Sequence, residues 1–90
     1  MIRTVLLGGR GGLHMRAAAR IAAAAALLPA QVTVRTSERP AVPADSILAL
    51  LSLGALCGTE MILEAYGSAA ADALDRLAGL LAADLDVAGA

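Results

Sequence analysis

The sequence contains no tryptophan, no phenylalanine and no lysine, and only one tyrosine (Tyr66) and one cysteine (Cys57). With no aromatic platform and a net charge of -1, the chain lacks the stacking surface and the broad cationic footprint that nucleic-acid binding uses. A lone cysteine cannot close an intrachain disulfide, which fits a reducing compartment and makes the cytoplasm the expected location. No apolar run approaches the roughly 20 residues of a membrane-spanning helix; the longest candidate, Ile21 to Ala30, is preceded by Arg16 and Arg20. Met1 to Leu7 has too short an apolar stretch for a secretory signal, so no direct membrane insertion is expected. One histidine and one cysteine cannot supply the usual four ligands of a structural metal site, and neither metal nor cofactor is expected.

What is present is apolar: 59% of the 90 residues belong to the AVILMFWYC set and 17% are charged, too hydrophobic for a disordered segment. The length gives room for one domain, residues 1–90, with a core of Leu, Ile, Val and many Ala. Small side chains bury little area each, so modest stability or a partner is expected.

Ile2 to Leu7 reads as a strand, ended by Gly8-Gly9-Arg10-Gly11-Gly12, a loop built for unusual backbone angles. Arg16 to Leu28 reads as a helix stopped by Pro29, its inner face Ala18, Ile21, Ala22, Ala25 and Leu28. Gln31 to Arg35 alternates as a strand, and a hairpin leads to a short edge strand at Ala41 to Pro43. Asp45 or Ser46 caps a brief helix from Ile47 to about Leu53, closed by Gly54. Glu60 to Tyr66 is the last strand, with Met61, Leu63 and Ala65 inward. Ser68 is the expected cap of a final helix to about Leu85, whose buried stripe is Ala70, Ala73, Leu74, Leu77 and Leu81. The order of elements implies an antiparallel or mixed sheet with helices on one face, an α+β domain.

Chemistry concentrates in Gly11-Gly12-Leu13-His14-Met15-Arg16-Ala17-Ala18. His14 stands where the glycine loop meets a helix start, whose unpaired N–H groups and dipole favour an anion. Imidazole is the side chain whose reference pKa lies near neutrality, so as a class it is nucleophilic at pH 7. A phosphoryl group on its ring would meet the amides of residues 16 to 18, with those of Ala17 and Ala18 completing the anion site, and the guanidinium of Arg16. Phosphoryl transfer needs mainly such positioning and charge compensation. The same residues also fit an exposed turn histidine and a solvated cation. Against that plainer reading, Arg16 and Arg20 oppose the helix dipole by about 0.3–1 kcal/mol each, a penalty that a recruited anion reverses.

Gly12-Leu13-His14-Met15-Arg16-Ala17-Ala18, followed by Asp45-Ser46-Ile47-Leu48-Ala49-Leu50-Leu51-Ser52-Leu53-Gly54 and Gly58-Thr59, resembles HPr, the histidine-containing phosphocarrier family of the bacterial phosphoenolpyruvate-dependent sugar phosphotransferase system. The resemblance spans essentially the whole chain. It implies a four-stranded antiparallel sheet with three helices on one face, in the order βαββαβα. It also implies that His14 accepts a phosphoryl group from Enzyme I at Nδ1, that Arg16 helps to hold it, and that EIIA-type domains receive it. Such a protein is a stoichiometric carrier rather than a self-sufficient enzyme. Ser46 aligns with a serine that a kinase phosphorylates in many low-GC Gram-positive relatives; capping is its plainer role, and Asp45 beside it would repel added phosphate. Ile47, Leu48 and Leu51, rimmed by Met15, Arg16 and Arg20, are the expected partner-binding surface, while Leu50 and Leu53 are expected in the core.

Three departures from the family pattern stand out. Ala17 replaces the usual proline after the arginine, Gly11 replaces a polar residue near the phosphoryl site, and Ala19, Ala23 and Ala26 occupy the helix face where many relatives carry lysines. The missing proline and the missing lysines motivate a competing reading, an HPr-like regulatory adaptor that binds partners without efficient transfer. A small-molecule-binding ferredoxin-like or ACT-like module also fits the element pattern but leaves the His14 loop unexplained.

Overall fold

A computed structural model describes residues 1–83. Its elements run β1 (Ile2–Leu6), α1 (Met15–Ala26), β2 (Val32–Arg35), β3 (Val42–Pro43), α2 (Ile47–Leu51), β4 (Glu60–Ala65) and α3 (Ala70–Ala82). The strands form one antiparallel sheet in the order β1-β4-β2-β3, with three helices on one face, the expected α+β architecture.

Register sorts the side chains. Arg3↔Leu63, Val5↔Met61 and Val34↔Leu63 share the helix-facing side, while Ile2↔Glu64, Thr4↔Ile62 and Arg35↔Ile62 share the open side. Period-two alternation therefore buries Met61, Leu63 and Ala65 and leaves Glu60 exposed, as the sequence implies. Arg3 is the exception on the inner side: from the edge strand its guanidinium reaches Asp75 of α3, 2.6 Å away. The short β3 lies on the opposite edge, where its proline costs no ladder bond.

The core joins Ile21 of α1, Leu50 of α2, Leu74, Leu77 and Leu81 of α3, and Val34, Met61 and Leu63 of the sheet, all essentially without solvent contact. Ala17, Ala18 and Ala22 complete the buried stripe of α1; Ala25 and Leu28 pack against the core only in part.

Helix ends differ from expectation at several places. The α1 ladder stops at Ala26, because the amides of Leu27 and Leu28 turn back to the carbonyls of Ala24 and Ala25 in a tighter turn before Pro29. The α2 helix stops at Leu51, with Ser52 as its C-cap, and Gly54 follows at φ +60°. Ser68 does not cap α3: the amide of Ala70 donates to the Gly67 carbonyl, moving the cap to Ala69, which offers no side-chain acceptor. Asp72 in the first turn supplies the negative charge the helix start favours. At its other end α3 stops at Ala82, with Ala83 extended as its C-cap, short of the expected end near Leu85; residues 84 and 85 lie outside the described residues.

Candidate functional site

The glycine loop is pinned at both ends. The amide of Gly8 donates to the Leu81 carbonyl at the end of α3 (2.9 Å), and Leu7 and Gly58 bond across to each other's segments (Leu7 N to Thr59 O, 2.9 Å; Gly58 N to Leu7 O, 2.7 Å). Arg10 and Gly11 lie within a turn closed by the bond from the Gly12 amide to the Gly9 carbonyl. Gly12 adopts φ +72°, and Leu13 donates to the Ala55 carbonyl at 3.0 Å before burying its side chain. This scaffold delivers His14 to the N-terminal end of α1, just before Met15.

His14 is the N-cap of α1, extended at φ −78° and ψ 178°, and its Nδ1 accepts a hydrogen bond from the Ala17 amide at 3.3 Å. The ring is half-buried, neither sealed in the core nor turned away from the helix start. Because Nδ1 accepts, its lone pair points at the helix and the neutral ring carries its proton on Nε2. The amides of Met15 and Arg16 lie in the same first turn, where helix geometry provides no intrahelical acceptor. One expectation is corrected: the Ala18 amide donates to the His14 carbonyl at 2.8 Å, so it is committed to the helix and is not part of an open anion cradle.

Met15, Arg16 and Arg20 are exposed along the start of α1, and Ala23 and Ala26 are exposed further along it. No acidic residue occurs before Glu38, whereas Arg3, Arg10, Arg16, Arg20 and Arg35 all fall in that segment; the eight acids share the remainder with Arg39 and Arg76. The near-neutral total thus hides a chain whose His14-bearing part is purely cationic.

The α2 helix packs against α1 and carries the expected apolar surface. Leu48 is 79% exposed and Ile47 39%, but Leu51 is half-buried against the core, so it forms the base of the patch and not its exposed crest. Leu50 and Leu53 are buried as expected. Ser46 caps α2, its Oγ accepting from the Ala49 amide at 3.2 Å. Cys57 is exposed in the loop before β4.

A cleft of about 450 Å³ opens beside Ala26, Leu28, Gln31 and Asp45. It lies at the other end of α1, about 18 Å from His14 for a 12-residue helix, and no cationic side chain lines it. Among the described residues no group of three or more metal-ligating side chains converges, and no helix is long and apolar enough to cross a membrane.

Two features escaped the sequence reading. Histidine is not a usual capping residue, so the lone pair facing Ala17 had no sequence signal. The Ala55 carbonyl that holds the loop is a non-local contact, hinted at only by the run of glycines opposite it.

The family described as "PTS HPr component phosphorylation site" matches residues 2–83. Phosphocarrier protein HPr of Streptomyces coelicolor is 39% identical over 84 residues, covering 93% of this chain and 90% of the relative. The HPr of Pseudomonas putida is 35% identical over 79 residues, 88% of each chain. Among solved structures, an HPr from Thermoanaerobacter tengcongensis superposes with a TM-score of 0.81 at 30% identity over 90% of each chain. An HPr from Bacillus anthracis gives 0.83 at 27% identity over 90% of this chain and 95% of that one. The chain is a member of the HPr family of phosphocarrier proteins of the phosphotransferase system.

Proposed function

We propose that His14 accepts a phosphoryl group at Nδ1 from phosphohistidine on Enzyme I and passes it to an EIIA-type domain, so that the chain serves sugar uptake in the cytoplasm as a stoichiometric carrier. The observation that carries this reading is the half-buried His14 ring at the start of α1, with its Nδ1 lone pair turned to the first-turn amide of Ala17. The lone pair forms the new N–P bond as the donor's N–P bond breaks, and that electron pair stays on the donor nitrogen. No proton has to leave Nδ1, because the ring's proton is on Nε2.

The transferred group carries its charge on peripheral oxygens, and stabilising that charge is the main catalytic requirement. The helix start contributes amides and the positive dipole end; Arg16 is the clamp. Arg16 is exposed, so its pairing with the phosphoryl group is screened by solvent and acts chiefly in the closed complex. Ile47 and Leu48, with Leu51 beneath them, provide the apolar centre of a docking surface, with Met15 and Arg20 at its rim. The acid-free segment around His14 suits a partner with an acidic face.

Incubation with Enzyme I and phosphoenolpyruvate should load one acid-labile phosphoryl group per chain, transferable to an EIIA-type domain, and His14→Ala should stay unlabelled. Native protein that remains unlabelled beside a competent donor overturns the carrier reading and leaves partner binding as the chain's role.

A further inference from the structure

Capping and chemistry compete for one lone pair. The Ala17 N–H that His14 Nδ1 accepts at 3.3 Å is the third amide of α1, the position a capping side chain ordinarily serves. A phosphorus bonded to Nδ1 takes the lone-pair direction from which that N–H now approaches, so phosphorylation must break the cap. The released amide then lies beside a phosphoryl oxygen, a charged acceptor that binds an N–H about twice as strongly as a neutral one. A proline in place of Ala17 would have no hydrogen to offer; alanine supplies one.

Resting on the carrier reading above, we infer that the backbone N–H of Ala17 is a positioning group for His14: it holds the resting ring with Nδ1 unprotonated, and on transfer passes from the ring nitrogen to a phosphoryl oxygen. The residue acts through its backbone. Its buried methyl packs in the core, while the N–H selects the nitrogen that attacks and afterwards favours the loaded state. The balance is unchanged: one N–P bond forms, one breaks at the donor, and Nε2 keeps its proton throughout.

The test compares 15N-labelled native protein with Ala17→Pro, which lacks the N–H, and Ala17→Gly, which keeps it. In the native protein the neutral His14 ring should be almost wholly the Nε2–H tautomer, and the Ala17 amide proton should move downfield on loading by Enzyme I and phosphoenolpyruvate. In Ala17→Pro the tautomer preference should weaken, and the phosphoryl equilibrium should shift roughly threefold to tenfold toward the donor, the expected difference between the charge-assisted hydrogen bond lost from the loaded state and the weaker neutral one lost from the resting state. Ala17→Gly should restore both. A general loss of packing would not produce this pattern of loss and rescue. An Ala17 amide resonance that stays in place on loading overturns the inference, and so does an Ala17→Pro variant with native tautomer and equilibrium. If Ala17→Pro does not fold, the amide shift in the native protein decides alone. Failure of native protein to load sinks the carrier reading and the hand-over with it, whereas an even tautomer mixture in the resting ring sinks the positioning role by itself.

Discussion

Gly12 lies so close to Ala55 that a β-carbon on it would stand 2.8 Å from the Ala55 carbonyl oxygen. The carbonyl cannot swing aside cheaply, because it already accepts the Leu13 amide at 3.0 Å. Gly12 also sits at φ +72°, a region that costs a residue with a β-carbon about 1–2 kcal/mol. Gly12→Ala should therefore lose roughly 2–4 kcal/mol in urea unfolding, the backbone term plus the displacement of Ala55. Gly54→Ala is the control: at φ +60° with nothing within 4 Å, it should lose only the backbone term. Equal losses at the two sites would mean that Ala55 does not brace the loop.

On the proposed carrier function, His14 has two separable duties, capping and phosphoryl loading. Removing the ring in His14→Ala should abolish phosphoryl loading and also cost about 1 kcal/mol, the usual worth of a capping side chain. For a domain of this size that loss lowers the melting temperature by roughly 4–8 °C. His14→Asn restores a capping oxygen but no nucleophile, so it should recover the stability and none of the loading. Calorimetry on the three proteins reads the first duty and a phosphoryl-loading assay the second. If His14→Asn is as unstable as His14→Ala, the 3.3 Å contact with Ala17 is not a functioning cap.

The parts of the molecule governed by local rules were legible from sequence. Alternation in Glu60 to Ala65 gave the right buried face, the alanine run before Pro29 gave α1, and the serine before Ile47 gave the cap of α2. What failed depended on contacts made by the chain elsewhere. Ser68 lost the cap to a turn set by the Gly67 carbonyl, and the Ala18 amide was claimed by the His14 carbonyl once the helix began at Met15, one residue earlier than expected. Leu51 sank half into the core because α2 lies against α1, a packing that five residues of sequence cannot specify. At the candidate site, the position of His14 at the start of α1 was legible from the local pattern; the orientation of its ring was not, since it depends on which amide the capped helix presents.

Tyr66, just beyond β4, donates its hydroxyl to Glu64 Oε2 at 2.8 Å. That hydrogen bond, then the carboxylate's charge and slight desolvation, hold the phenol above its ordinary pKa. The neutral phenol is the form the fold favours. Any stability from the pair is therefore present below the unfolded value of about 10 and lost as pH climbs past the raised folded value. Glu64→Gln should bring the titration back toward the ordinary range. Tyr66 is the only aromatic residue, so phenolate absorbance reads this one site without overlap. A midpoint unmoved by Glu64→Gln would show that the pair does not persist in solution.

Leu48 and Leu50, two residues apart on α2, should respond in opposite ways to truncation. Leu48 is 79% exposed and Leu50 fully buried, so the same loss of a side chain touches solvent in one case and the core in the other. Leu50→Ala should cost about 2–5 kcal/mol through lost burial and the cavity left behind, seen as a large fall in the urea midpoint. Leu48→Ala should stay within about 0.5 kcal/mol of the native stability. If Leu48 is an apolar anchor for partners, its loss should instead raise the KM for this protein as substrate of Enzyme I, with kcat little changed, because binding is lost and the reacting atoms are untouched. A Leu48→Ala protein with native KM for Enzyme I would remove the crest of α2 from the docking surface and leave the arginines of α1 as its main determinant.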